Sequence, residues 1–578
     1  MNNVAIVEKV RSNINYKSFF NFGFDQYALT SHDVKKLLKK DIDIEINPDY
    51  YDYIICVGAE AVKYFDKHAS VISHQGCLIN DKFLPLTSPY LAKLKPETKP
   101  AFDAAVENIN KYIGGESVVN TSKYNKILIE DDEHEAALML ERCLSETNSK
   151  SVIAIDTETS DLYCRKGRLL GISLCWDTRF GVYIDAYAID DRVEELLTEI
   201  INSRRMVLHN AKFDKHWIKY HLGIEIKNYD DTLILHYLLN ENEEHGLKAL
   251  AIKYTDLGDY DRELELFKKK YCKQHKIKEK EFSYEYIPFE VLGEYAALDT
   301  VATLLLFEKF WPILSKSENL MRCYTQLMLP ASDFLTEMED NGVPLDKEAL
   351  IQARDVDLTD EIFNLEQSLY DYKAITEFEN VTGNKFNPNS VQHLRHVFFD
   401  ILDLPTPDKV TGTGAISTDK EVLEELADIH PLPGLILKIK QLKKIKSTYI
   451  DKMLMYIDAD SRLRTGFNLC TTTSGRLSSS GTLNLQQLPR DSKVVKKAIK
   501  ARPGYKIVSQ DLATAEMYVA ACLSGDKELQ EVFSSGGDFH SSIAKKVFKL
   551  PCPVDQVKDL YKTKRQSAKA VSFGINRK

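Results

Sequence analysis

The sequence predicts a multidomain α/β chain: a small front α/β unit, a mixed-sheet unit, then a mostly helical stretch leading into a partial α+β unit. Three observations predict it. Short apolar runs such as Tyr53-Ile-Ile-Cys-Val57, Ser151 to Asp156 and Leu169-Leu-Gly-Ile-Ser-Leu-Cys175 have strand length. From about residue 318 the apolar spacing becomes that of long helices, Leu327 to Asn341, Leu350 to Tyr372 and Leu435 to Ile457. With 578 residues, 44% hydrophobic and 28% charged, the chain has material for roughly three to four domain cores.

Residues 1–122 carry short strands running into Gly58-Ala-Glu-Ala61 and a helical stretch, an α/β unit. Residues 123–316 add the strands Ser151 to Asp156, Leu169 to Cys175 and Phe180 to Ile184, a mixed sheet meeting helices. Glu290 to Phe310 has helical periodicity, so Tyr295 and Asp299, four apart, share a face. Residues 317–578 begin with the long helices, separated by Gly- and Thr-rich loops such as Thr411-Gly-Thr-Gly414. A strand pair around Arg462 to Asn484 follows, then Tyr505 to Asp511, an apolar strand ending on a carboxylate, and helices at Asp538 to Phe548 and Val557 to Phe573. There is no internal repeat and no low-complexity tract.

The longest apolar runs, Val301 to Phe307 and Leu432 to Leu437, fall short of the ~18 residues a membrane span needs, and Met1 to Val10 has no signal-peptide core. Ten cysteines without a paired metal spacing fit reduced thiols, so the expectation is a cytoplasmic protein with no membrane partner. The net charge of -10 excludes a chain that is basic all over, yet lysines gather at 438–446, 493–506 and 558–569. Each cluster reads either as a solvated helix face or as one wall of a nucleic-acid groove.

Carboxylates carry the chemistry. Asp156 and Glu158, two apart on a strand, point to one face and can reach the same cations; Asp214, in Asn210-x3-Asp214, and Asp299, in Tyr295-x3-Asp299, would add oxygens from separate elements. Two hard cations roughly 3.5–4 Å apart cleave a phosphodiester, one activating water and one stabilising the leaving oxygen.

With Leu208-His-Asn-Ala-Lys-Phe-Asp214 and His245-Gly-Leu-Lys-Ala-Leu250, the ordered set resembles the DnaQ-like 3'-5' proofreading exonucleases of ribonuclease H-like fold. The resemblance implies that Asp156, Glu158 and Asp299 are metal ligands, that Asp214 supports the second metal, and that Tyr295 orients the attacking water. It places Leu162 as a wedge against the terminal base, packing being that residue's other reading, and Asn210 among the substrate-binding residues. The front unit, with Gly76 and Leu84-Pro-Leu-Thr-Ser-Pro-Tyr90, weakly resembles the later half of the uracil-DNA glycosylase fold; Ser88-Pro89 replaces that family's His-Pro, which predicts no glycosylase activity.

Met338-Glu-Asp-Asn-Gly-Val343, Ser417-Thr-Asp-Lys420, His430-Pro-Leu-Pro433, Lys443 to Tyr449, Thr473-Ser-Gly-Arg-Leu-Ser478 and Asn484-Leu-Gln-Gln487 resemble the thumb and lower palm of family A DNA polymerases, the DNA polymerase I group. That resemblance implies a primer-template minor-groove grip by Arg476 and Gln486, with Arg476 at the primer terminus. It makes Asp511 the first metal-binding palm carboxylate and Glu516 the gate against a 2'-hydroxyl, within Asp511-Leu-Ala-Thr-Ala-Glu516 where the family usually reads Asp-Tyr-Ser-Gln-Ile-Glu. Arg565 and Lys569 would hold the triphosphate, Phe573 would stack on the base, and His540 would assist. The family pattern continues with Tyr-Gly and a later His-Asp-Glu; this sequence reads Phe573-Gly-Ile-Asn-Arg-Lys578, with Arg577 in the tyrosine's place.

The expectation is therefore a viral, proofreading family A DNA polymerase present as an N-terminal portion of a split gene, completed by a second polypeptide. Its partners would be primer-template, single-stranded 3' ends and deoxynucleoside triphosphates, and its cofactor Mg2+ or Mn2+. A stand-alone 3'-5' exonuclease and a non-catalytic DNA-binding subunit are the alternatives.

Overall fold

In the computed structural model, the described residues are 2–9, 14–28, 46–66, 69, 71, 74–79, 82–95, 98–114, 121–407, 409–410, 415–481, 483–489, 492–512 and 514–576, with backbone only at 100 and 571–576. The loop Thr411 to Gly414 and Arg577 lie outside them. The chain divides into two units, Met1–Ile499 and Lys500–Lys578.

The front of the first unit is a parallel four-stranded sheet of β1 (Val4–Glu8), β2 (Asp25–Ala28), β3 (Tyr53–Val57) and β4 (Phe83–Leu86), ordered β2-β1-β3-β4. Ser88 accepts a hydrogen bond from the Tyr90 amide at 3.3 Å and caps the helix Pro89–Leu94, so this serine has a local structural task.

A six-stranded mixed sheet follows. Its strands are β5 (Asn125–Ile129), β6 (Val152–Thr159), β7 (Leu169–Asp177), β8 (Phe180–Asp185), β9 (Arg205–Leu208) and β10 (Tyr229–Asp231), ordered β10-β9-β6-β7-β8-β5. Strand β6 pairs antiparallel with β7 and parallel with β9, which puts it inside the sheet, and its pairing with β7 shifts register between Glu158 and Thr159. Alternation sorts its residues: Ile153 and Ile155 join a core with Leu140, Cys143, Leu196 and Ile200 of the helices on one face. Ala154 faces the other way, onto Leu298, Val301 and Ala302.

Those last three belong to α4, the fourth of five helices that concern the site: α1 (Ala211–Leu222), α2 (Leu247–Tyr254), α3 (Arg262–His275), α4 (Phe289–Leu314) and α5 (Leu329–Asn341). Each fully buried Leu or Val on α4 contributes roughly 1.5–3 kcal/mol to holding it on the sheet. The approach is close, because a Cβ at Gly181 on β8 would lie 2.1 Å from the Ala297 carbonyl oxygen of α4. Only glycine lets backbone meet backbone there.

The long helices predicted for the later half are present, with wide-pitch turns at Tyr324–Met328, Ala353–Asp357 and Ile445–Ile450. The strand pair predicted around Arg462 to Asn484 appears as Arg462–Leu463 on Val343–Pro344 and Gly466–Asn468 on Ser478–Ser480. Two expectations are corrected. Tyr505 to Asp511 is not a strand: it is irregular and exposed, Val508 at 78% and nearby Leu512 at 81%, and no described strand offers it a hydrogen-bonding edge. The helix predicted from Val557 to Phe573 breaks at Tyr561 into Val557–Leu560 and Lys562–Asn576.

Candidate active site

Strand β6 delivers Asp156 and Glu158 to the face covered by α4, and α4 presents Asp299 to them. Glu158 and Asp299 are buried and Asp156 is half-buried. One oxygen from each of the three lies within 4.8 Å of the others, the only such group among the described residues. Burial, then the charges of Asp214, Asp299 and Glu158, push Asp156 well above the usual carboxylate range. Burial and Asp299 do the same to Glu158. Three converging carboxylates, offering only oxygen, fit hard divalent cations such as Mg2+ or Mn2+ better than zinc.

Asp214 is drawn aside. Its Oδ1 accepts from the Thr157 amide at 3.0 Å and the Thr157 hydroxyl at 2.7 Å, so it stands outside the converging triad although its charge reaches Asp156. Burial raises its carboxyl to about 7 against those hydrogen bonds. Of the four carboxylates expected to converge, three do and the fourth is buried behind Thr157, because Thr157 sits on the opposite side of the pleat from its neighbours.

Two residues that sequence reasoning missed complete the cluster. Lys248 of α2 forms an ion pair with Asp299 and lies 3.9 Å from the centre of the Tyr295 ring and 4.5 Å from that of Tyr260. The Tyr260 hydroxyl donates to Asp299 and lies 3.0 Å from Lys248 Nζ. Burial and Asp299 hold both tyrosine hydroxyls in the protonated form, as Tyr295 needs if it is to donate toward water. Lys248 lies in the His245 to Leu250 motif, but nothing in its spacing separates a half-buried counter-ion from a surface lysine.

Asn210 caps α1 in the left-handed region, φ 67°. Asp231, also unforeseen, holds that turn by accepting from the amides of Asn210 at 3.1 Å, Ala211 at 2.9 Å and Leu233 at 2.9 Å. Leu162 is 79% exposed and lines, with Asn210, Phe213 and Trp217, a cavity of about 330 Å³. Exposure on that scale removes the packing reading of Leu162.

The other predicted residues fall into two groups. In the first unit, Gln486 Nε2 donates to the Leu477 carbonyl at 3.3 Å, next to exposed Arg476. In the second, Asp511 and Glu516 are exposed, Glu516 in the first turn of the helix Ala515–Ser524. His540 is buried, and burial followed by the Arg565 and Lys569 charges lowers its pKa, which places these three together. Arg565 is engaged by Asp538, at 2.7 and 3.0 Å, rather than presented to solvent. Despite its own burial, Asp538 is held down to about 2 by that guanidinium. Phe573 falls where the backbone alone is described. The 438–446 lysine cluster is partly neutralised: Lys438 pairs with Glu361 at 2.9 Å and Lys443 with Glu366 at 2.5 Å.

Comparison with known proteins fits this geometry. The family model for DNA polymerase family A matches residues 358–576, and that for 3'-5' exonuclease matches residues 131–315. The DNA polymerase of Escherichia phage T5 is 42% identical over 602 residues, covering 99% of this chain and 70% of that protein. The chain belongs to the family A DNA polymerases. This family A chain is also 28% identical to DNA polymerase I of Borreliella burgdorferi, across 89% of its length and 53% of that relative's. It is 37% identical to the thermostable DNA polymerase I of Thermus aquaticus over 50% of its length and 32% of that relative's. The solved POL domain of Pol1 from M. smegmatis, in complex with DNA primer-template and dNTP, shares the fold with a TM-score of 0.56 at 24% identity, over 78% of this chain and 71% of that one. No described helix is long and apolar enough to cross a membrane.

Proposed function

We propose that residues 123–316 form a ribonuclease H-like domain that hydrolyses single-stranded DNA from its 3' end, with Asp156, Glu158 and Asp299 holding Mg2+ or Mn2+. The observation that carries this is the convergence of three carboxylate oxygens within 4.8 Å on two rigid elements. Bound there, such cations supply an activated water and a charge on the leaving oxygen. The chain's residues do the rest. Asp214 fixes the strand backbone through Thr157, Lys248 and Tyr260 orient Asp299, and Tyr295 directs the attacking water. Leu162 and Asn210, which line that cavity, would meet the terminal nucleotide. Mg2+-dependent shortening of a labelled single strand from its 3' end, abolished in Asp156→Ala with Glu158→Ala, tests this reading; full activity in that variant sinks it.

We further propose that residues 317–578 supply the thumb, part of the palm and the start of the fingers of a polymerase that adds deoxynucleoside monophosphates to a primer. Arg476 and Gln486 would grip primer-template, Asp511 would hold a cation and Glu516 would exclude a 2'-hydroxyl. Arg565, Lys569, His540 and Phe573 would receive the triphosphate, Arg565 exchanging Asp538 for phosphate. Among the described residues Asp511 belongs to no cluster of three metal-ligating side chains, and the segment Tyr505 to Leu512 is exposed. This supports completion by sequence corresponding to the part of the phage T5 relative that the match leaves uncovered, which a second polypeptide would supply. On this reading the protein is viral and works in the host cytoplasm, and residues 1–122 are an inactive glycosylase-like unit. Primer extension on mixing the chain with such a polypeptide is the expected result; hydrolysis without extension leaves a stand-alone exonuclease, and neither leaves a DNA-binding subunit.

A further inference from the structure

Helix α3 departs from the hydrolytic cluster itself. Tyr260 donates to Asp299, and two residues later Arg262 opens the helix, whose fourteen residues make a rod of roughly 21 Å. Residues 262–281 hold eight Lys or Arg against four Glu, in a chain of net charge -10. Among the described residues, Lys269, Lys270, Lys273, Lys276, Lys278 and Lys280 form no ion pair, unlike Lys438 and Lys443. Free cations at this density repel one another and persist where a polyanion is to be met.

Aromatic rings accompany them. Tyr271 stacks on Tyr286, centroids 5.0 Å apart at 11°, and on His275 at 4.1 Å, while Tyr286 keeps 41% of its surface exposed. The arm is fixed relative to the triad: Ser283 Oγ donates to the Ser160 carbonyl at 2.8 Å, two residues beyond Glu158, and Arg168 pairs with Glu285 at 2.7 Å. Unpaired lysines beside an exposed ring suit a strand that offers phosphates and flat bases together.

We propose that residues 262–287 are a single-strand guide that binds the DNA immediately 5' of the nucleotide being hydrolysed. This rests on the exonuclease reading for the location of the 3' end. The test uses the full chain in EDTA with fluorescent oligo-dT of 16 and 3 nucleotides, and poly-glutamate as competitor. K270E/K273E/K276E is expected to weaken dT16 binding about 10-fold or more and to reduce the log–log salt slope by about 2, at roughly 0.7 per phosphate. Tyr286→Ala should weaken dT16 binding without changing that slope, and hydrolysis of the trinucleotide in Mg2+ should be unchanged in both variants. Unchanged dT16 affinity and slope in the triple variant overturn the guide, as does an equal loss of trinucleotide hydrolysis or competition by poly-glutamate as strong as by dT16. Absence of trinucleotide hydrolysis by the unaltered chain would instead strike the exonuclease reading, since binding in EDTA reports on the arm alone.

Discussion

Each carboxylate of the triad has a different support. Asp156 and Glu158 share a strand face, Asp299 is held by Lys248 and Tyr260, and Asp214 is turned back onto Thr157. Replacing Asp156 alone with Asn should lower hydrolysis of single strands by about 10²–10³ in kcat, read under saturating substrate. Lys248→Met leaves the Asp299 carboxylate without its counter-charge, and unfolding should show a loss of about 1–3 kcal/mol in EDTA that Mg2+ largely restores. A loss that Mg2+ leaves untouched would mean Lys248 serves packing instead. At this scale the sequence was legible where a period fixes direction: the i, i+2 pair on β6 and the Tyr295-x3-Asp299 turn of α4. The roles of Lys248, Tyr260 and Asp231 depend on contacts between segments distant in the chain, which no local spacing encodes.

Helix α1 has two working faces. Asp214 points into the nuclease sheet, while Lys212 and His216 meet Glu339, His216 also meets Asp340 at 2.7 Å, and Lys215 meets Asp333 on α5. Although burial opposes it, the two carboxylates raise His216, and His216 and Lys212 in turn lower Glu339. The raised histidine stabilises fully below about pH 6.5 and loses this as pH climbs through its folded value; the lowered glutamate stabilises above about pH 4.5 and loses this in acid. Thermal unfolding should therefore show the clamp strongest near pH 5–6.5, and His216→Gln should lower Tm there while changing it little at pH 9. Gly181 sets a second constraint. An added methyl in Gly181→Ala meets the Ala297 carbonyl and should cost about 1–3 kcal/mol in denaturant unfolding, with reduced hydrolysis as α4 carries Asp299 away. The helices and the nuclease strands follow from apolar period, whereas Tyr505 to Asp511 has strand composition and no described neighbour to pair with, so composition alone misassigned it.

Across the chain, exposed apolar side chains gather in the second unit, with Val508 at 78%, Leu512 at 81% and Leu523 at 83%. Sedimentation of the isolated chain should be concentration-dependent, and Val508→Lys with Leu523→Lys should suppress this without altering trinucleotide hydrolysis. The clamp between α1 and α5 has a different reach. One twelve-residue rod is bolted at one side to the hydrolytic sheet and at the other to the helices that follow. A genetic exchange between relatives with its crossover near residue 316 would sever this partnership, stranding three cations from one parent opposite whatever the other supplies. Viable hybrids should therefore inherit residues 212–219 and 333–340 from the same ancestor, so that the seam evolution respects lies later in the chain than the border between the two activities.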